Sequence, residues 1–158
     1  VEWLRFDLVF LLEAAVKIGL AYLIALPIAW ERERATRIMG MRTFPLVSMA
    51  SCGYVLVALA VAGDDPDAQA RVIQGLMSGI GFLGAGAILK EGASVRGTAT
   101  AASVWMTGAL GGAAAHGKYE VAIVLSIATF LVLRLLSRHE EERQAERKEA
   151  EGGDGDQG

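Results

Sequence analysis

The chain has 158 residues, 53% hydrophobic and 21% charged, with a formal net charge of −3 and a mean hydropathy of +0.40. That balance excludes an ordinary water-soluble domain, and without a basic excess it gives no reason to expect nucleic acid as a partner. Cys52 is the single cysteine, so neither an intrachain disulfide nor a thiolate metal site is available.

The apolar residues fall in five blocks: Leu8 to Trp30, Phe44 to Ala62, Val72 to Leu89, Thr98 to Ala115 and Val121 to Leu136, each of roughly 16 to 23 residues. Such lengths match ~30 Å of hydrocarbon at about 1.5 Å per helical residue. Open sheets leave backbone groups unsatisfied in lipid, so helices are the expected solution. The predicted fold is all-α, a polytopic helical membrane bundle of five transmembrane helices over residues 1–136, with the lipid bilayer as its first partner. A charged cytoplasmic tail, 137–158, follows.

Segment one opens with Glu2, Arg5 and Asp7 and is too long for a signal peptide, so it is expected to stay in the membrane. Trp3 and Trp30 stand at its two ends, where amphipathic rings favour the headgroup level. Within it, Glu13 and Lys17 are one helical turn apart. They read either as a mutually neutralised pair near the outer interface or as a functional intramembrane pair. After it come Glu31, Arg32, Glu33, Arg34 and Arg42. These charges suit topology and lipid headgroups, or a cytoplasmic charge network joined by Arg96 that locks the helix ends. Between segments two and three, Asp64, Asp65, Pro66 and Asp67 spell a solvated turn rather than a cation site.

Segment three carries the glycines. Gly79, Gly81 and Gly84 match a dinucleotide fingerprint letter for letter, but no strand precedes them and they sit inside an apolar span, so a nucleotide site is set aside. Gly75 and Gly79 form a small-xxx-small pair, with Gly86 near the same stripe and Gly81 and Gly84 on an adjacent one. Segment four answers with Ala101, Ala102, Gly108, Gly111 and Gly112. Close packing of segments three and four is the simplest reading, and a broken helix lining a pathway is the alternative. Gln74, Ser78, Thr100, Ser103 and Thr107 are candidates for bonds between helices. His116 and His139 are isolated, and no nucleophile, base and oxyanion set is apparent, so neither metal, cofactor nor enzyme activity is expected.

The last 22 residues carry eight acids and four bases, a net of −4, leaving the rest of the chain about +1. Glu140 with Arg143 and Arg147 with Glu151 have helical spacing, so segment five should run on into the cytoplasm before a disordered end at Gly152 to Gly158. A solubilising, topology-fixing tail is the leading reading and a partner-binding helix the other.

Two stretches are more specific than hydropathy. One is Trp30-Glu31-Arg32-Glu33-Arg34 followed by Gly40-Met41-Arg42-Thr43; the other is the run Ser78 to Leu89, then Val95-Arg96-Gly97 and Thr100 to Trp105. In order and spacing these blocks resemble the two signatures of the MgtC/SapB N-terminal membrane domain, over roughly Ile18 to Leu136. Phe44 stands where that family often has His, and Ala99 and Met106 where virulence-associated members tend to carry Asn and Cys. Many members add a folded cytoplasmic domain after the last span, so the sequence resembles a short form. The resemblance implies a multi-pass protein of the bacterial inner membrane, with a non-enzymatic regulatory or accessory role in magnesium homeostasis. It also implies another membrane protein as partner, and it leaves a homo-oligomer open. The other reading is a small ion transporter or channel, for Mg²⁺.

Basic residues set the orientation. Arg32, Arg34, Arg37, Arg42, Lys90, Arg96 and the tail bases lie on one side, against Arg5, Arg71 and Lys118 on the other, which predicts the N-terminus outside and the C-terminus inside. In a Cys52→Ser background, single cysteines at Asp65 and Lys118 should react with an impermeant thiol reagent on intact cells, and cysteines at Arg32, Lys90 and Arg138 should not. Labelling at Lys90 from outside would overturn the five-span orientation.

Overall fold

The computed structural model describes residues 7–35, 39–63, 65–91 and 94–152. Trp3, Arg5, Arg37, Asp64 and the run 153–158 lie outside the described residues, as do the tail side chains. Among the described residues five helices form an all-α bundle: α1 (Leu8–Ala35), α2 (Thr43–Ala62), α3 (Pro66–Ala85), α4 (Thr98–Ala115) and α5 (Tyr119–Gly152). Between α3 and α4 runs a short antiparallel hairpin, β1 (Leu89–Glu91) and β2 (Ser94–Arg96), in which Leu89 faces Arg96 and Lys90 faces Val95. Among the described residues two helices, α1 and α2, are long and apolar enough to cross a membrane by length and composition.

Each central helix turns one stripe inward. On α1 the buried stripe is Ala21, Ala25, Ile28, Ala29 and Arg32, positions that recur every three or four residues and hence lie on one face. Most of these side chains are small, so α2 and α5 approach the α1 backbone. There Ser48 Oγ of α2 donates to Ala21 O at 2.9 Å and Ser126 Oγ of α5 to Ile24 O at 2.6 Å. The second bond enters the turn that Pro27 weakens, because proline has no N–H to give to the preceding turn. Other hydroxyls close on their own helix: Ser51 on Val47 O, Ser103 on Ala99 O and Thr107 on Ser103 O, each at 2.7 Å. Such back-bonding satisfies a polar group where water is absent.

Helix α4 is central and packs against all four other helices. Glycine is what permits it. A Cβ on Gly111 would collide with the Ser48 carbonyl of α2, and one on Gly108 with the Ile80 side chain of α3. On Gly84 a Cβ would lie 3.1 Å from Ala101 O, tight enough to force α3 and α4 apart. Segment three therefore meets segment four through Gly84 and Gly108. Gly75, Gly79, Gly81 and Gly112 differ from the expected packing role: a Cβ on any of them meets no heavy atom within 4 Å. The physical reason is that α3 leans on α2 and α4 with one narrow edge, and only Ile80 and Gly84 of its residues are buried.

Several helix boundaries differ from the apolar blocks, α1 running on from Trp30 to Ala35. Helix α3 begins at Pro66, where Asp65 caps it by accepting from the N–H groups of Asp67 at 3.0 Å and Ala68 at 3.3 Å. It ends at Ala85 instead of Leu89, because Gly84 and Gly86 weaken the last turn and Leu89 enters the hairpin. Helix α5 runs past the last apolar block to Gly152.

These contacts separate glycines of one type by consequence. Gly111→Leu should lower the melting temperature and membrane yield sharply, since a backbone carbonyl cannot step aside. Gly79→Ala should leave both unchanged or slightly improved, because it gains helix propensity of up to about 1 kcal/mol without a clash. Thermal unfolding in detergent of the two variants beside the parent checks both.

Candidate functional site

The two motif blocks, far apart in sequence, meet at one end of the bundle. The last turn of α1, the chain return at Met39–Arg42, the start of α2, the hairpin and the first turn of α4 converge there. Phe44, fully buried, fills the centre of this end beside Ile28 and Val104. Its ring occupies the position for which the resemblance suggested His, so the site has an apolar plug instead of a titratable ring.

Arg32 is the buried charge of the site, 5% exposed, and its Nη2 donates to Thr100 Oγ1 at 2.8 Å across 68 residues of sequence. A guanidinium suits this place because its planar fork offers several donors in fixed directions at modest hydration cost. Glu31, next in sequence, is partly buried. Glu33 turns the other way: its Oε2 accepts the Met41 N–H at 3.0 Å, with the carboxylate folded over Gly40. A Cβ at Gly40 would collide with that carboxylate, so glycine there lets Glu33 clamp the return loop. Arg34 lies over the Trp30 ring at 4.8 Å, a cation–π contact at the membrane-facing edge.

Gly97 sets the other half. Its φ of +86° is left-handed backbone, and a Cβ there would collide with the Ala87 carbonyl. The hairpin can therefore fold back on the end of α3 and deliver α4 with Thr100 in its first turn, opposite Arg32.

Of the expected network of Glu31, Arg32, Glu33, Arg34, Arg42 and Arg96, the described contacts are those of Arg32 with Thr100, Glu33 with Met41 and Arg34 with Trp30. Arg42 and Arg96 are exposed and form no ion pair among the described residues. Among the described residues the contacts that join these segments include the Thr100 hydroxyl on Arg32 and the Met41 amide on Glu33. Sequence reasoning placed Arg32 and Thr100 in separate groups. The signal that unites them is that each lies in one of the two motif blocks.

At the opposite end, Lys17 Nζ meets Glu13 at 2.6 Å, and the lysine is the more enclosed side chain, 17% exposed against 56%. Asp65 is spent on capping α3. Among the described residues no three His, Cys, Asp or Glu side chains gather as metal ligands would. Cys52 is buried in α2, and His116 holds its Nδ1 on Gly112 O at 3.0 Å.

A model of the MgtC family matches residues 18–142. The chain belongs to the MgtC family. It is similar to the protein SrpB of Synechococcus elongatus, 37% identical over an alignment of 126 residues, with 72% of this chain and 69% of SrpB covered. It is also similar to the protein MgtC of Brucella abortus, 41% identical over 119 residues, 73% of this chain and 49% of that protein. The protein MgtC of Salmonella typhimurium is 36% identical over 107 residues, 68% of this chain and 45% of that one. The chain thus spans about half the length of the MgtC relatives it matches. No solved structure matches it. Family membership and the apolar α1 and α2 make it a multi-pass protein of the bacterial inner membrane.

Removing the Thr100 hydroxyl tests the lock. Thr100→Val leaves the Arg32 Nη2 proton without this acceptor in a buried place and should cost about 1.5–3 kcal/mol. The loss should appear as a lower melting temperature in detergent, with Thr100→Ser recovering most of it. Equal stability of the Val and Ser variants would count against the bond.

Proposed function

We propose that the protein is a non-enzymatic regulatory or accessory protein of the inner membrane, serving adaptation to low magnesium and acting through contacts within the bilayer on another membrane protein. Five spans fit this reading. Helices α2, α3 and α4, of 20, 20 and 18 residues, are about 30, 30 and 27 Å long, near the ~30 Å of hydrocarbon. With the basic Arg32 to Arg42 and Lys90 to Arg96 segments on the cytoplasmic side, the N-terminus lies outside and the C-terminal tail inside.

The observation that carries the reading is α3. It commits one edge to the bundle and leaves the rest open, including Phe82 at 80% exposure. Between α2 and α3 runs a groove of about 480 Å³, lined without any charged side chain, into which Gly75 and Gly79 open. Small residues beside apolar walls let another helix come within van der Waals reach in lipid, where packing rather than hydrophobicity drives association. Magnesium as the physiological theme rests on the family.

Filling the groove is the test. Gly79→Leu, whose Cβ meets nothing, should keep the melting temperature yet abolish both complementation of growth in low magnesium and crosslinking from the groove to a larger membrane protein. Purified protein in liposomes should pass no Mg²⁺ above empty vesicles, read with a trapped dye. Saturable flux, lost in Glu13→Gln, would replace the regulator by a transporter.

A further inference from the structure

A second groove, about 380 Å³, opens on the other side of α3, between it and α4. Its floor is Val55, Ile80 and Gly108, all buried. Met77 of α3 and Trp105 of α4, each about half exposed, form its walls. Its volume lies in the range of small-ligand sites, and its length along α4, from Trp105 to His116, is about 16 Å. The first groove has no charge in its lining; this one ends at Lys118, with His116 beside it. An apolar trough with a cation at one end fits an amphiphile with an apolar tail and an anionic head.

The lysine is placed by a built turn. Helix α4 closes with Gly117 at φ +68°, the Gly117 N–H donating to Ala114 O at 3.0 Å and the Lys118 N–H to Ala113 O at 2.9 Å. That reciprocal pair is a Schellman cap, which fixes the direction in which the chain leaves the helix. Lys118 is therefore held at the mouth of the trough by backbone geometry, while its ammonium stays exposed. His116 donates its Nδ1 proton to Gly112 O, which turns Nε2 away from the helix. Glu120 lies outside the lining, so the charge at the mouth is positive.

We infer that this trough between α3 and α4 binds one anionic phospholipid, its acyl chain against Ile80, Gly108 and Trp105 and its phosphate at Lys118. This rests on the five-span reading above, which puts the α4–α5 turn and Lys118 at the outer headgroup level, so that a lipid reaches the site without leaving the membrane. The occupant is a lipid rather than a partner helix because the only cation in the lining lies at the end where a headgroup would be, and the remainder is apolar.

Delipidated protein in a neutral detergent, titrated with phosphatidylglycerol, phosphatidylcholine or glycerol phosphate, provides the test. Thermal unfolding and native mass spectrometry report stabilisation and retained lipid. Phosphatidylglycerol should raise the melting temperature and remain bound one per chain, in preference to phosphatidylcholine. Lys118→Gln should reduce that preference about fivefold, the worth of one basic residue near a lipid surface. Gly112→Leu should end retention of both lipids, since a Cβ at Gly112 enters open space in the trough. Should Gly112→Leu fail to fold, the exposed Lys118→Gln decides alone. Equal retention of the two lipids by the parent, or a phosphatidylglycerol preference that survives Lys118→Gln, would overturn the assignment. So would an equal rise with glycerol phosphate, which would mean a free-phosphate site. A crosslinked dimer that Gly112→Leu abolishes without altering lipid retention would give the trough to a second copy.

Discussion

In a solvent without hydrogen-bonding groups, dispersion contacts and internal hydrogen bonds have to hold the helices, and both act only at close range. The bundle meets this demand at α4, which touches every other helix. Gly84, Gly108 and Gly111 remove the side chains that would stand between its backbone or side chains and their neighbours. Once α4 is seated, the serine and threonine hydroxyls have nearby carbonyls to bond, and the inward stripes of α1 and α2 close around it. The same constraint explains why so many bonds run from a hydroxyl to the preceding turn of its own helix: they need no partner from elsewhere.

The Arg32 site depends on that seating. A guanidinium is costly to enclose unless its donors find acceptors. The acceptor that α4 brings, Thr100, arrives opposite Arg32 because Gly97 turns the hairpin back onto Ala87. Glu33, although beside Arg32 in sequence, faces the Met41 amide and fastens the loop before α2. Phe44 completes this end with an apolar plug. Among the described residues, the Arg32–Thr100 and Glu33–Met41 bonds thereby help to tie the ends of α1, α2 and α4.

Helix α3 is the exception to close packing, and function is read from it. Its sparse burial leaves a groove on each side, and the two differ in one respect that matters chemically: only the one next to α4 ends at a cation. An uncharged groove suits another helix, and a trough with a lysine at its mouth suits a headgroup and its tail.

Helical class, the number of apolar segments and the family were legible in the sequence, because block length and contiguous motif blocks are local properties of the chain, whereas the start of α3 at the Asp65-Pro66 cap lay outside its apolar block. Pairing was not. Gly75, Gly79, Gly81 and Gly84 look alike as letters, and only the placement of α3 against α4 makes Gly84 a contact while the other three face open space. Arg32 had several equivalent neighbours in sequence, and one partner proved to be Thr100, chosen by where α4 begins. The sequence alone determined which segments are apolar and where the backbone can turn. Tertiary structure decided which small residues meet a neighbour and which charge is enclosed, since both depend on distances between residues whose separation along the chain carries no such information.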